Sequence, residues 1–392
     1  MDKRRGYVAA GGYYKYKEDV EHMRDVGLEA YRFSISWSRL IPNGRGAINR
    51  RGLDYYNNVI DELVKHGIQP HVTLLHIDRP QIIEDEYAGF LSRRFVEDFT
   101  AYADVCFREF GDRVRHWTTF NEPNMLYVSA YDTGDTPPRR CSYPFGHFNC
   151  TAGNSTTEPY IVMHNILLAH AEAAALYKTK YQVKQNGWIG INVCTNWMYP
   201  YTNSIADIRA AQRSMDFKVG WMMNPLVFGD YPDVMKEKAG SRLPRFTKAE
   251  SERLMSSFDF IAINHYISLY VKDDTHNSTT SPLHDYYDDA SVKIAGLGMM
   301  TSNNLSDNLN DMERVDFLKC YIGAMLDAVR DGSNTRGYFV WSFVDVYEIA
   351  YELIGLDVRF GLYHVDFEDE NMKREPKLSA NWDGSNTRGY FV

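Results

Sequence analysis

An α/β fold built on a parallel sheet, most economically a (β/α)8 TIM barrel, is predicted by three features of the sequence. Helix-like and strand-like segments alternate, and a parallel strand pair needs a crossover that is usually a helix. No Gly/Ser/Pro-rich linker interrupts the 392 residues, so residues 1–392 read as one domain. No G-x-G-x-x-G follows a strand, which removes the main argument for an open, doubly wound sheet.

The elements follow in order. Lys17–Val26 places Val20, Met23 and Val26 on one helical face and stops at Gly27. Ala30–Trp37 (AYRFSISW) reads as a strand, Leu53–His66 as an amphipathic helix, and His71–His76 (HVTLLH) as the next strand. Phe95–Phe110 is helical and precedes the strand His116–Phe120 (HWTTF). The Ala-rich helix Pro159–Tyr181 precedes the strand Trp188–Val193. Phe258–Tyr266 (FDFIAINHY) and Arg336–Val344 (RGYFVWSFV) are two further strands. Six strands are legible, two short of a closed eight-stranded barrel. Asp331–Val340 and Asp383–Val392 are the same ten residues, DGSNTRGYFV, and the second copy is expected to be a disordered tail.

Composition narrows the function classes. Lys plus Arg is 43 and Asp plus Glu is 52, a net charge of −9, which leaves no electrostatic footprint for nucleic acid. No apolar run approaches the roughly 18 residues of a membrane span. The start, Met1–Gly12 (MDKRRGYVAAGG), lacks the apolar stretch of a signal peptide. Aromatic residues make up 14% of the chain, enough for pockets that stack on flat ligands as well as for a core. Cys106, Cys194 and Cys320 stand alone in apolar surroundings and read as buried thiols, whereas Cys141 and Cys150 can close a small disulfide ring. Four glycosylation sequons start at Asn149, Asn154, Asn277 and Asn304.

Chemistry in such barrels sits at the C-terminal ends of the strands. Those ends offer Arg32 and Trp37, His76 and Asp78, Asn121 and Glu122, Asn264 and Tyr266, then Trp341, Asp345 and Glu348. A carboxylic acid beside an amide, with a His, a Tyr and indole faces, suits a hydroxyl-rich ligand. Glu122, walled by Phe120 and Pro123, is the candidate general acid. A second reading has Asn121 capping a helix with Glu122 in its first turn. His76-Ile77-Asp78 lacks a second cluster at metal-ligand spacing, so no metal or cofactor is expected. Arg32 on a strand needs a buried anion, which an ordinary ion pair would also satisfy.

Taken together, these segments resemble glycoside hydrolase family 1, particularly its plant-type β-glucosidases. The resemblance is carried by YRFSISWSRLIPNGRG, GIQPHVTLLHIDRPQ, RHWTTFNEPN, EPYIVMHNILLAHA, FDFIAINHY, RGYFVWSFVDVYE, RFGLYHVDF and KREPKLSANW, in the family's order from about Tyr13 to Trp382. It implies a (β/α)8 barrel that hydrolyses β-D-glucosides with retention, through two carboxylates about 5 Å apart. On this resemblance Glu122 is the acid/base and Asn121 binds the sugar 2-hydroxyl. His76 holds the glycone, Trp341 is the platform beneath it, and Glu348 binds its distal hydroxyls. Arg32 and Tyr266 match the residues that hold the nucleophile carboxylate. Thioglucosidases of the family lack the acid/base Glu, so Glu122 implies O-glucosides. Secretion or a vacuolar address is the family's habit, and oligomeric state is not implied.

Departures from the family pattern are equally specific. The nucleophile belongs to an I/V-T-E-N-G segment on the seventh strand, between Tyr266 and Trp341, and that interval holds no Glu-Asn-Gly. One strand and its approach are expected to be missing near Met300–Asn303. The N-terminal Q-x-E-G-A strand is also absent, so the two unfound strands are the first and the seventh. Glu370-Asn371-Met372 follows the eighth strand and is not the nucleophile segment. Ile349 and Ile77 replace aromatic residues, and Ala350–Val358 fits the family loop poorly. Two functional expectations result: an impaired β-glucosidase, or a sugar-binding pseudoenzyme.

Overall fold

The computed structural model describes residues 9–275, 283–300 (298–300 by backbone alone), 309–348 and 359–382. Asn277, Asn304, Ile349, the Ala350–Val358 loop and the 383–392 repeat lie outside the described residues. The chain divides into two compact units, each assembled from separated stretches. The first unit takes residues up to Phe33, Tyr55–His71 and those from Thr301 onward; the second takes Ser34–Asp54 and Val72–Met300.

A six-stranded sheet runs in the order β1 (Ala30–Ser34), β2 (Gln69–Leu75), β3 (His116–Phe120), β4 (Trp188–Pro200), β5 (Phe260–Asp273) and β6 (Val292–Met300). Sequential neighbours with helices between them are what alternating strand and helix segments dictate. β3 pairs with β4, and β4 with β5, in parallel. The side chains that face inward follow from the register, because successive residues alternate between faces.

Helices cover this sheet through apolar stripes. In the second unit Arg94–Phe110 buries Phe95, Phe99, Tyr102, Ala103, Cys106, Phe107 and Phe110, the spacing of one helical face. Tyr102 stacks on Trp37 with ring centroids 4.6 Å apart, and its hydroxyl lies 2.8 Å from the carbonyl of Leu74. Its hydrogen bond thus fixes the helix to β2. Glu158–Leu176 is buried on nearly every side, as its uniformly apolar composition requires.

The first unit centres on Val20, Met23, Leu28, Leu63, Ile68, Phe343 and Tyr363. Its small antiparallel pair, β7 (Tyr363–Val365) and β8 (Arg374–Pro376), is anchored by charge: Arg374 Nε donates to Asp19 Oδ1 at 2.8 Å. Asp345, fully buried, accepts from the Gly361 amide at 2.8 Å and from Lys377 Nζ at 3.1 Å. Burial of Lys377 lowers its pKa, and Asp345 opposes that shift.

Three elements differ from expectation. Arg336–Val344 forms no strand; its one ladder contact is the parallel bridge between Val344 and Tyr363. A strand exists only through its neighbours' hydrogen bonds, and among the described residues this segment meets a neighbouring strand at that one bridge. β5 extends seven residues beyond Tyr266 and folds back as the antiparallel β6. Lys293, Gly296 and the lack of alternation hide β6 in the sequence. Cys320 is exposed, because the helix Met312–Arg330 buries Val315, Leu318 and Ile322 on its other face. Cys106 and Cys194 are buried, and Cys141 and Cys150 form the disulfide. No described helix is long and apolar enough to cross a membrane.

Candidate active site

The ends of β2, β3, β4 and β5 bring one polar cluster together inside the second unit. The Asn121 amide donates to the Leu75 carbonyl at 3.1 Å, which carries the β2–β3 ladder past the strand ends. This sets His76 and Asn121 side by side, with Asn121 Nδ2 3.0 Å from His76 Nε2. Asn121 is buried and its side chain turns to the histidine. The short helix Pro123–Val128 has Glu122 at its N-cap position and no side-chain cap, so Asn121 is not a helix cap.

Glu122 is held from the next two strands, β4 and β5. Its amide donates to Asn192 Oδ1 at 3.2 Å, Asn192 Nδ2 donates to Asn264 Oδ1 at 2.7 Å, and Asn264 Nδ2 donates to Glu122 Oε1 at 2.5 Å. Register explains the closure: Thr118 pairs with Gly190 and Cys194 with Asn264, so continuing both ladders sets Glu122, Cys194 and Asn264 at one level. Glu122 has φ 46° and ψ 45°, and Ile77 has φ 77°. A left-handed glutamate and a left-handed β-branched residue each carry strain of about 1–3 kcal/mol, and such strain clusters where side chains are aimed at ligands.

The environment of the glutamate is mixed. Cys194 lies against it; burial pushes the thiol up to about 12, and the Glu122 carboxylate adds to that shift. Asn124 locks the same corner, donating 2.7 Å bonds to the carbonyls of Cys194 and Lys218. Behind β3, Thr119 Oγ1 lies 2.7 Å from His170 Nδ1, and burial presses that imidazole down to about 3. His170 is thus a neutral structural residue.

Tyr266 lies two residues beyond Asn264 on β5 and is half-buried; Asp78 is exposed. In the first unit Trp341, 39% exposed, directs Nε1 to Glu348 Oε1 at 3.1 Å. Arg314 fixes the Trp341 backbone, its guanidinium donating to the Trp341 carbonyl at 2.7 Å and to that of Phe360 at 2.6 Å. Arg32 is half-buried in β1 of that unit. Asn192 and Lys218 join the site without a local sequence signal. The signal for Asn192 is register, since it becomes visible when β4 is aligned with β5, whereas Lys218 lies in the helical turn Asp216–Gly220 and meets Met125 through the tertiary fold. Asn149 and Asn154 are both exposed.

Comparison with known proteins decides the family. The model of "Glycosyl hydrolase family 1" matches residues 1–286 and 280–386.

The chain belongs to glycosyl hydrolase family 1.

Beta-glucosidase 22 of Oryza sativa subsp. japonica is 53% identical, with 99% of this chain and 80% of the relative covered. That alignment runs to 429 positions, more than the 392 residues of this chain, so the relative holds residues without a counterpart here. The cyanidin 3-O-glucoside 7-O-glucosyltransferase (acyl-glucose) of Delphinium grandiflorum is 52% identical over 97% of this chain and 81% of its own. A solved rice β-glucosidase mutant in a covalent complex with glucose superposes with a TM-score of 0.90 at 39% identity, covering 96% of this chain and 88% of that one. The fold of this family 1 hydrolase is accordingly the (β/α)8 barrel class.

Proposed function

We propose that this family 1 chain recognises β-D-glucosides, with Glu122 as the acid/base of a retaining site whose covalent step lacks its carboxylate. The observation that carries the reading is the Glu122–Asn264–Asn192 chain beside the Asn121–His76 pair. Such a set offers a fixed carboxyl for the glycosidic oxygen and an amide and imidazole for ring hydroxyls. Asn121 serves the 2-hydroxyl, a contact that strengthens as the anomeric carbon flattens. Glu122 in acid form donates its proton to the departing oxygen, and Asn264 holds the other end of the carboxyl. Trp341, whose indole Nε1 is oriented by Glu348, has the form of a sugar platform with a hydroxyl acceptor beside it.

A retaining cycle needs a second carboxylate to attack the anomeric carbon. Between Tyr266 and Trp341 the one glutamate is Glu313, exposed in the first turn of the helix Met312–Arg330. The family model matches in two pieces that meet at 280–286, and the rice alignment carries residues unmatched here; both support an internal loss. Without the nucleophile, proton donation alone leaves the rate several orders of magnitude below that of an intact enzyme. The pseudoenzyme reading is therefore favoured over turnover. Calorimetric titration with phenyl β-D-glucoside tests it. Saturable binding, weakened about tenfold by Asn121→Ala or His76→Ala, is expected without glucose release. Absence of binding to folded protein, or sustained release of glucose, overturns the reading.

A further inference from the structure

Lys218 is a cation without an anion of its own. It lies in the helical turn Asp216–Gly220, on the excursion that follows the C-terminal end of β4, and its ammonium is turned to Met125 in the helix after Glu122. Nζ sits 2.8 Å from Met125 Sδ, a weak acceptor for one of three N–H donors. Among the described residues no carboxylate stands within 4.0 Å of it. Glu122 and the Cys194 thiol are the ionisable groups whose charge bears on Lys218, and burial lowers its pKa. A charge placed like this is costly unless something completes it.

Glu122 bears on it as a countercharge only while ionised. A general acid must carry its proton when the glycoside arrives, and the lysine then faces no countercharge from the protein. The missing charge has to come with the ligand, from the part beyond the glycosidic oxygen that Glu122 protonates. We propose that Lys218 is a specificity-determining residue that binds an acidic group on the aglycone, so that the chain selects β-D-glucosides carrying a carboxylate there. The assignment rests on the reading of Glu122 as the group facing the glycosidic oxygen. Lys218→Met removes the charge while keeping an unbranched apolar stem against Met125.

The test compares 4-carboxyphenyl β-D-glucoside with its neutral isostere, 4-carbamoylphenyl β-D-glucoside, by calorimetry on wild-type protein and on Lys218→Met. Circular dichroism checks that both are folded. The carboxylated ligand is expected to bind about five- to tenfold more tightly to wild type, less so as salt rises. In Lys218→Met that preference falls to near unity while the neutral ligand keeps its affinity. Equal binding of both ligands to wild type overturns the inference and leaves sugar recognition standing. A preference that survives in Lys218→Met overturns it too, because another cation then holds the anion. If neither ligand binds folded wild type, the inference falls together with the recognition of β-glucosides.

Discussion

At the residue scale, single polar groups are placed where their surroundings decide their charge. Asp132 is fully buried, and Asp285 bears on it with like charge. Burial first and Asp285 second raise its pKa well above the ordinary carboxylate range. A carboxyl that stays protonated when folded but ionises when unfolded gives stability that is complete below about pH 4 and is lost as pH rises towards the raised value. Asp132→Asn should flatten that decline by one proton and match or exceed the wild-type Tm at pH 8. Melting curves from pH 5 to 9 check this, and an unchanged slope rules the assignment out. The disulfide Cys141–Cys150 closes a short loop, and its loss should cost about 2–3 kcal/mol, read as a lower denaturation midpoint in Cys141→Ser/Cys150→Ser.

At the scale of elements, the first unit depends on buried charge. Asp345 joins β7, β8 and the Trp341 turn through the amides of Gly361 and Val365 and the Lys377 ammonium. Removing one partner of such a group leaves the rest uncompensated. Asp345→Ala should therefore cost about 3–5 kcal/mol, whereas the exposed pair Arg330–Asp327 should contribute under about 1 kcal/mol. Denaturant unfolding of the two variants makes the comparison, and similar losses would contradict it. Legibility differs among elements for the same physical reason. Helices with a clear apolar stripe, such as Arg94–Phe110, and strands bounded by helices could be read from local pattern. β6 and the coil at Arg336–Val344 could not, because pairing with a neighbour decides each. His76, Asn121 and Glu122 were legible as strand-end residues, and the family resemblance supplied their roles. The contacts of Asn192 depend on the β3–β4–β5 register, and that of Lys218 on a helical turn reaching Met125, neither of which a local window contains.

Across the molecule, histidine burial sets the acid limit. His116 and His164 are pushed down to about 4 and His170 to about 3, each chiefly by burial. The unfolded chain binds protons there that the folded chain refuses, so stability falls as pH drops below about 6.5, at up to about 1.4 kcal/mol per pH unit for each group. Urea midpoints measured from pH 7 to 4 should show this, and His170→Asn should reduce the slope. On the proposed reading, a retained sugar-recognition cluster is coupled to a lost covalent step. The measurement that reaches it most directly is the intact mass of folded protein after incubation with an activated 2-deoxy-2-fluoro-β-D-glucoside. No mass gain, with binding of phenyl β-D-glucoside intact, is the predicted result. A stoichiometric gain of one fluoroglucosyl group would contradict it, and peptide mapping would then name the carboxylate that attacks.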